Sequence, residues 1–462
     1  MEQLGILLLA AGRGKRMRSD RPKVIHSLGG TPLLEYPLRV ARSLNPAKIA
    51  VVVGHGAPEV EGACSGEGVA WILQKEQLGT GHAVLCAKGT LADFPGDLLI
   101  LSGDVPLVTA TTLERLLHRH RQGKSSVTLL TAFLDNPTGY GRILRDSAGR
   151  ILSVVEEKDA SDAEKKIQEI NSGMYAVDPG FLFPALEKLT NQNRQGEYYL
   201  PDIVGEAARG GRGIEAVRVE DPAEIRGINT REELAIMERS LQEKINRRCM
   251  ESGVTLKDPM TTYIEEGVKI GKDTVIGPNT HLRGRTVLGE GCMIDGNAYV
   301  VDSRIGRGVH VKFSTVVLGS DLGDKSQVGP FAHLRPGSVL GANVHIGSFV
   351  EVKNSTVGEG TKANHLSYIG DTTVGKESNI GAGTITCNYD GFDKHRTTIG
   401  DRVQVGSNSQ LVAPVVVEDD AYIAAGSTIT RNVPAGALAL SRVAQRHVSG
   451  WVERFRQMHR KK

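Results

Sequence analysis

The sequence is poor in the residues that mark extreme environments. Its 462 residues include only five cysteines, two tryptophans and 5% aromatic side chains. Cys64, Cys86, Cys249, Cys292 and Cys387 are scattered, odd in number and without metal-ligand spacing. That pattern excludes a disulfide framework and points to reduced thiols in a cytosol. Long hydrophobic runs are missing too. Gly5 to Ala11 is too short for a signal-peptide core, its basic residues follow rather than precede it, and no stretch approaches transmembrane length. Neither sign of charge dominates, with 56 basic against 53 acidic side chains, so no global field calls for nucleic acid or a membrane. What remains is a soluble, cytoplasmic chain long enough for two or three domains.

What the chain does have is glycine, 55 of them, and from about Ile264 to Val433 many follow an aliphatic residue at six-residue spacing. Ile270-Gly271, Ile276-Gly277, Leu288-Gly289, Ile305-Gly306, Leu340-Gly341 and Ile346-Gly347 belong to the series; after two shortened repeats it resumes with Val357-Gly358 and continues to Val405-Gly406. A period of six fits a parallel β-helix, each hexad forming one flat face of a triangular prism. The aliphatic residue points inward and the small one lets the chain turn the corner without filling it. Three faces make a coil of about eighteen residues rising about 4.8 Å, so residues eighteen apart in unbroken register should stack.

The N-terminal stretch, to about Arg226, alternates strand-like runs with helical patterns, which predicts a parallel sheet covered by helices on both faces. Strands are expected at Ile6–Ala10, Ile49–Val53, Trp71–Leu73 and Asp97–Leu101. Ligands in such sheets sit beyond the carboxyl ends of the strands. The first strand runs into Ala11-Gly12-Arg13-Gly14-Lys15-Arg16-Met17, whose bare amides and basic side chains could hold phosphates or form a merely structural turn. Lys23 follows on a proline-stiffened turn. Gln74 and Gln77-Leu78-Gly79-Thr80-Gly81 offer amides and a hydroxyl to a base edge. Ser102-Gly103-Asp104 ends another strand with a carboxylate, where a Mg²⁺ ligand or a simple cap would be placed.

These stretches resemble the sugar-phosphate nucleotidyltransferases. With Pro137-Thr138-Gly139-Tyr140-Gly141-Arg142, Val155-Glu156, Asn171-Ser172-Gly173 and Gly196-Glu197-Tyr198-Tyr199, they resemble in particular the bacterial bifunctional N-acetylglucosamine-1-phosphate uridylyltransferase / glucosamine-1-phosphate N-acetyltransferase family, over nearly the whole chain. The resemblance implies an α/β Rossmann-like nucleotidyltransferase domain followed by a left-handed parallel β-helix of hexapeptide repeats. It implies that Leu9, Ala10, Ala11, Gly12, Gln74, Gly79 and Thr80 bind UTP, that Arg16 and Lys23 hold its phosphates, and that Gly141, Glu156 and Asn171 hold N-acetylglucosamine-1-phosphate. Ser102, Gly103, Asp104 and Asn229 would join this nucleotide- and sugar-binding set, and Asp104 and Asn229 would also bind Mg²⁺. Two departures stand out: relatives commonly carry Thr where this chain has Lys15, and an aromatic residue where it has Ser102. Lys15 could add a phosphate contact or remain solvated.

Thr230-Arg231-Glu232-Glu233 reads as a capping box opening a long helix, with Leu234, Met237, Leu241 and Ile245 on one face. The expected organisation is therefore 1–228, a helical linker 229–249, and 250–462. In the prism, Arg335 and Lys353 lie eighteen residues apart at the same place on one face. Two cations would stack about 5 Å apart, close enough to repel unless an anion such as a phosphate lies by them. His365, Tyr368 and a thirteen-residue break from Thr386 to Thr398 fall on the adjoining edge. The resemblance implies His365 as general base on the amine of glucosamine-1-phosphate and Arg335, Lys353, Tyr368 and Asn379 on its phosphate. It assigns Ala382, Asn388, Tyr389, Ser407, Ala425 and Arg442 to acetyl-CoA. The basic end, Arg454 to Lys462, could meet CoA or only water.

The reading is thus a bifunctional enzyme making UDP-N-acetylglucosamine from glucosamine-1-phosphate, acetyl-CoA and UTP, with Mg²⁺. A convex prism edge cannot shield a thioester by itself, so a homotrimer is expected, mixing His365 of one chain with residues such as Asn388 or Arg442 of another. One rival is a single-activity sugar nucleotidyltransferase whose β-helix only assembles or regulates. The other is a non-catalytic assembly subunit of the same architecture, as among translation exchange factors. No nucleic-acid or membrane partner is expected.

Overall fold

The computed structural model describes residues 3–64 and 66–460. Of the basic end, Lys461 and Lys462 lie outside the described residues. The chain forms two compact units that divide between Arg239 and Ser240. This point lies inside the helix Arg231–Glu251, so that helix gives its first turns to one unit and the rest to the other.

In the first unit the four expected strands are present as Gln3–Ala10, Lys48–Val53, Val69–Leu73 and Gly96–Ser102. They are parallel, in the order Val69–Leu73, Lys48–Val53, Gln3–Ala10, Gly96–Ser102. Alternation along them feeds two cores, one per face. Ile6 and Leu8 pack with Leu38 and Leu116, whereas Leu7 packs with Phe183 and Ile203, all fully buried. A wholly parallel sheet is not what forms, however. Glu169–Val177 runs antiparallel to both of its neighbours, Gly96–Ser102 and Val127–Phe133. Its N-terminal end also pairs with a hairpin of Gly141–Arg145 and Ile151–Val155, and antiparallel neighbours need no crossover helix. Its register shifts between Asn171 and Tyr175, with Gly173 at φ 76°. A bulge of this kind re-aims side chains at a sheet end.

The second unit consists of three wholly parallel sheets of 11, 10 and 9 short strands. On one face Ile276, Ile294, Val311, Val328, Ile346, Ala363, Ile380, Val405 and Ile423 stack in register, each at most 3% exposed. The glycine after the aliphatic residue serves the approach of neighbouring coils: a Cβ on Gly347 would lie 2.0 Å from Asn364 O. Small hydroxyl residues line the inside of the corners; Ser326 Oγ donates to Gly323 O at 2.7 Å and is 3.0 Å from Gly341 O, so its burial leaves no unpaired group. The coil is not uniformly eighteen residues. Arg304 pairs with Asp321 and Lys362 with Asn379 at offsets of 17, while His333 pairs with Glu351 at 18.

The long helix opens as its sequence predicts. Glu233 N donates to Thr230 Oγ1 at 3.1 Å, and the Glu233 carboxylate accepts from Asn229 N and Thr230 N at 2.6 and 2.9 Å.

Two candidate active sites

In the first unit the carboxyl ends of the strands open onto a cleft of about 880 Å³. Leu9, Ala10, Ala11, Gly12, Lys23, Gln74, Gly79, Thr80, Ser102, Asp104, Glu156 and Asn171 all line it, as does Lys15. The Gly-rich turn is tied to the next loop by Arg13, whose Nε donates to Gln77 Oε1 at 2.7 Å. Gln74 is buried, its amide donating to Gly79 O at 3.2 Å. Gly79 adopts φ 112°, and a Cβ there would lie 2.6 Å from Tyr198 O. The close approach belongs to a crossing strap: Gly81 N donates to Tyr198 O, Tyr198 N to Leu78 O, and Leu200 N to Thr80 Oγ1, at 2.8, 2.8 and 3.0 Å. Nothing in the sequence pairs the Glu197-Tyr198 motif with that loop.

Lys23 Nζ donates to the Asp104 carboxylate and, at 3.0 Å, to Asn229 Oδ1. An ammonium thus stands between the two oxygens expected to hold Mg²⁺. One carboxylate and one amide oxygen suit a hard cation that keeps most of its waters and takes further oxygens from substrate phosphates. Among the described residues no group of three His, Cys, Asp or Glu could hold an ion by itself. Gly103 N donates to Leu9 O at 2.9 Å, holding the Asp104 turn against the first strand. Arg16 is exposed in the single turn Lys15–Met17, next to the cleft-lining Lys15.

At the other end, Asn171 Nδ2 donates to the buried Tyr175 hydroxyl at 2.7 Å. Gly141 pairs with Asn171, and a Cβ on it would come within 3.4 Å of Glu156 Oε1. Burial, followed by the nearby charges of Asp202 and Asp159, pushes the Glu156 carboxyl up to about 7. Burial and Asp159 push Asp202 up to about 6. The sequence reading missed Asp159 and Asp202, which carry no motif.

In the prism, Arg335 and Lys353 follow the paired residues Leu334 and Val352, so they occupy the same place one coil apart. They are not a bare pair of cations. Arg335 Nη1 meets Glu351 Oε1 at 2.8 Å, and Lys353 Nζ lies 3.6 Å from Asp371 Oδ2. Carboxylates interleave with the cations and relieve the repulsion, which spacing among basic residues alone does not reveal. A third cation, Lys394, has its pKa pushed down by its contact with Lys353. Tyr368 begins the next strand of the same face. A Cβ on Gly370 would lie 2.3 Å from the Tyr368 hydroxyl, so the glycine leaves room for the folded ring.

His365 is exposed at the end of the Lys362–His365 strand, paired with Ser348 below. Continuing the register upward puts Ala382, Ser407 and Ala425 in its column. Arg442 Nη1 donates to Ala425 O at 2.7 Å at the top. Asn379 faces outward on the same sheet, one coil above Lys362. The break in the repeat begins later than expected. Thr386 is inward-facing and 1% exposed within the strand Ile385–Cys387; the insertion starts at Asn388 and ends before Thr397. It lengthens the offset between Thr372 and Thr397 to 25. Asn388 is buried against the coil, while Tyr389 is 61% and Phe392 92% exposed.

Known families and proteins match this layout. The MobA-like NTP transferase domain matches residues 6–169, the GMPPB C-terminal domain residues 259–348, and the six-repeat bacterial transferase hexapeptide residues 396–431. "Bifunctional protein GlmU" of Pelobacter propionicus is 51% identical, with 98% of each chain covered. The proteins of that name from Caldanaerobacter subterraneus and Clostridium beijerinckii are 50% and 49% identical, over 98% and 97% of this chain and 98% of each relative.

Proposed function

The chain belongs to the family of bifunctional GlmU proteins, transferases with uridylyltransferase and acetyltransferase activities, and from that premise we propose how its residues divide the two reactions. What supports the reading is that the residues assigned to the nucleotide and sugar all fall in one compact unit and those assigned to acetyl transfer all fall in the other.

In the β-helix unit, His365 removes a proton as the amine of glucosamine-1-phosphate attacks the acetyl-CoA carbonyl. The C–N bond forms, the C–S bond breaks and CoA leaves. Arg335, Lys353, Tyr368 and Asn379 hold the sugar phosphate. Ala382, Ser407 and Ala425, above His365, line the path of acetyl-CoA with Arg442, Asn388 and Tyr389. In the first unit, a phosphate oxygen of N-acetylglucosamine-1-phosphate attacks the α-phosphorus of UTP and pyrophosphate leaves, so the protein mainly positions groups and neutralises charge. Leu9 to Gly12, Gln74, Gly79 and Thr80 hold the nucleotide, Arg16 and Lys23 its phosphates, and Gly141, Glu156 and Asn171 the sugar. Asp104 and Asn229 would hold Mg²⁺, which supplies further neutralisation of phosphate charge when bound.

Phe313, Phe331 and Phe349 are each about half exposed and follow one another along one corner of the prism, the first pair edge to face and the second stacked, with Leu366 at 63% beside His365. An apolar ridge of that kind favours cover by another chain, and we take the assembly to be a homotrimer with sites shared between chains. The five free thiols suit a cytoplasmic enzyme. No helix among the described residues is long and apolar enough to cross a membrane. The deciding experiment supplies glucosamine-1-phosphate, acetyl-CoA, UTP and Mg²⁺ together, then omits each in turn. UDP-N-acetylglucosamine should form only with all four. Its formation without acetyl-CoA, or no acetylation in the absence of UTP, would overturn the reading.

A further inference from the structure

Asp371 belongs to none of the motifs described above, yet it is bonded to several residues of the prism edge at once. It sits in the left-handed backbone region at φ 49°, with its side chain 9% exposed. Its Oδ1 accepts from Asn354 Nδ2 at 2.6 Å, and its Oδ2 accepts from Asn388 Nδ2 and faces Lys353 Nζ at 3.6 Å. Its main chain extends the network: N donates to Lys353 O at 3.0 Å, and O accepts from Thr397 N at 3.4 Å. One residue therefore grips the first residue of the insertion, the residue just after it, and the lysine one coil below. Asn388 Nδ2 also lies 3.4 Å from the Tyr368 hydroxyl, so the gripped residue stands beside the side chains assigned to the sugar phosphate.

We propose that Asp371 is a positioning residue of the acetyltransferase, anchoring the insertion through Asn388 so that the acyl-donor side of the site is held against the sugar-phosphate side. The inference rests on the assignment of acetyl transfer to this edge. A carboxylate suits this position because two side-chain amide N–H groups and an ammonium converge on its two oxygens. An asparagine of the same shape offers one acceptor oxygen and turns its own N–H groups toward donors. The charge also competes for Lys353. Neutralising it should therefore loosen Asn388 while leaving the lysine freer to meet a phosphate.

The consequence is a split between the two substrates. In Asp371→Asn, the KM for acetyl-CoA should rise and kcat should fall, together lowering kcat/KM for acetyl-CoA by roughly tenfold to a hundredfold, the range of a lost charge-assisted hydrogen bond. The KM for glucosamine-1-phosphate should stay the same or fall. Circular dichroism and denaturant unfolding of the β-helix unit report whether the prism around residue 371 is folded, and Asp371→Ser, which also removes the charge, is measured in parallel in case the asparagine chain does not fold. A purely structural role would raise both Michaelis constants together, and that result, or no change in either, overturns the proposal. A double-mutant cycle adds an independent reading: if Asp371 acts through Asn388, then adding Asp371→Asn to Asn388→Ala should cost little more for acetyl-CoA than Asn388→Ala alone. Additive losses contradict it. His365→Ala is assayed beside them. Acetyl transfer that survives His365→Ala sinks the assignment of the site itself. If it is lost there while Asp371→Asn shifts both constants equally, the positioning role alone fails.

Discussion

The ammonium of Lys23 is held by the carboxylate of Asp104, 81 residues away in sequence, and the same nitrogen reaches Asn229 Oδ1 at 3.0 Å. This knot lies within the first unit, whereas His365 belongs to the second. The two reactions should therefore be separable by single substitutions. Asp104→Ala removes the only carboxylate in the knot and should lower uridylyl transfer by at least about a hundredfold, the scale of one lost electrostatic group at a phosphate or oxyanion site. Acetyl transfer should remain. His365→Ala should do the reverse, and each half-reaction can be followed alone by CoA or pyrophosphate release. Loss of both activities from either change, in chains that still fold, would refute two independent sites.

What could be read from the sequence followed the range of the underlying constraint. The hexad was legible because the same steric demand recurs in every coil: the backbone of the next coil excludes a side chain at Gly347, as Asn364 O shows. Strand ends such as Ser102-Gly103-Asp104 were legible because local composition punctuates them. Asp371 was not, since its partners at 354, 388 and 397 meet it only once the coils stack. The antiparallel course of Glu169–Val177 was equally hidden, because strand direction is set by connections rather than by the apolar pattern of the strand. The start of the insertion was misplaced by two residues because Thr386 reads as a polar interruption, yet its hydroxyl is satisfied inside the coil by Gly370 O at 3.1 Å.

Lys15 lines the cleft of the first unit beside Gly14 and is exposed. A cation there should attract the triphosphate through water, and such an interaction weakens as salt shortens the screening length. Lys15→Thr is expected to raise the KM for UTP severalfold at low salt and less at high salt. The same KM for both chains at both ionic strengths would mean that Lys15 is only solvated.

Glu156 gives the first unit a pH signature. Its carboxyl is pushed from 4.5 up to about 7, chiefly by burial and then by Asp202 and Asp159. Between those values the folded unit holds a proton that the unfolded chain has released, so stability falls as pH rises through that window. Glu156→Gln removes one of two raised carboxyls, Asp202 near 6 being the other, and should lessen the slope most clearly between about pH 6 and 7, as read by denaturant unfolding of the first unit. If the carboxylate form also holds the sugar, the KM for N-acetylglucosamine-1-phosphate should fall as pH rises through about 7 in the parent and not in Glu156→Gln. A parent profile as flat as the variant's in both measurements would remove Glu156 from this role.

The last expectation concerns what completes the exposed acetyltransferase edge. Asn388 is tied to Tyr368 and Asp371 of its own chain, so it should serve the site that those residues build. Arg442 is different: its guanidinium caps the column above His365 through Ala425 O, and every residue from Ser441 to Gly450 is exposed. An exposed segment at the end of the coil can be covered by a neighbouring prism, and a threefold arrangement would give three equal clefts, each walled by two chains. Inactive His365→Ala chains should therefore regain acetyl transfer when dissociated and reassembled with inactive Arg442→Ala chains, because some clefts then combine an intact histidine with an intact arginine from the neighbour. The same mixing with Asn388→Ala chains is the control. If Asn388 and Tyr368 work with the histidine of their own chain, wild-type clefts cannot form through exchange of neighbours, and little activity should return. Recovery with Asn388→Ala but not with Arg442→Ala, in assemblies verified to be mixed, would show that the insertion, rather than the C-terminal segment, is the element that crosses.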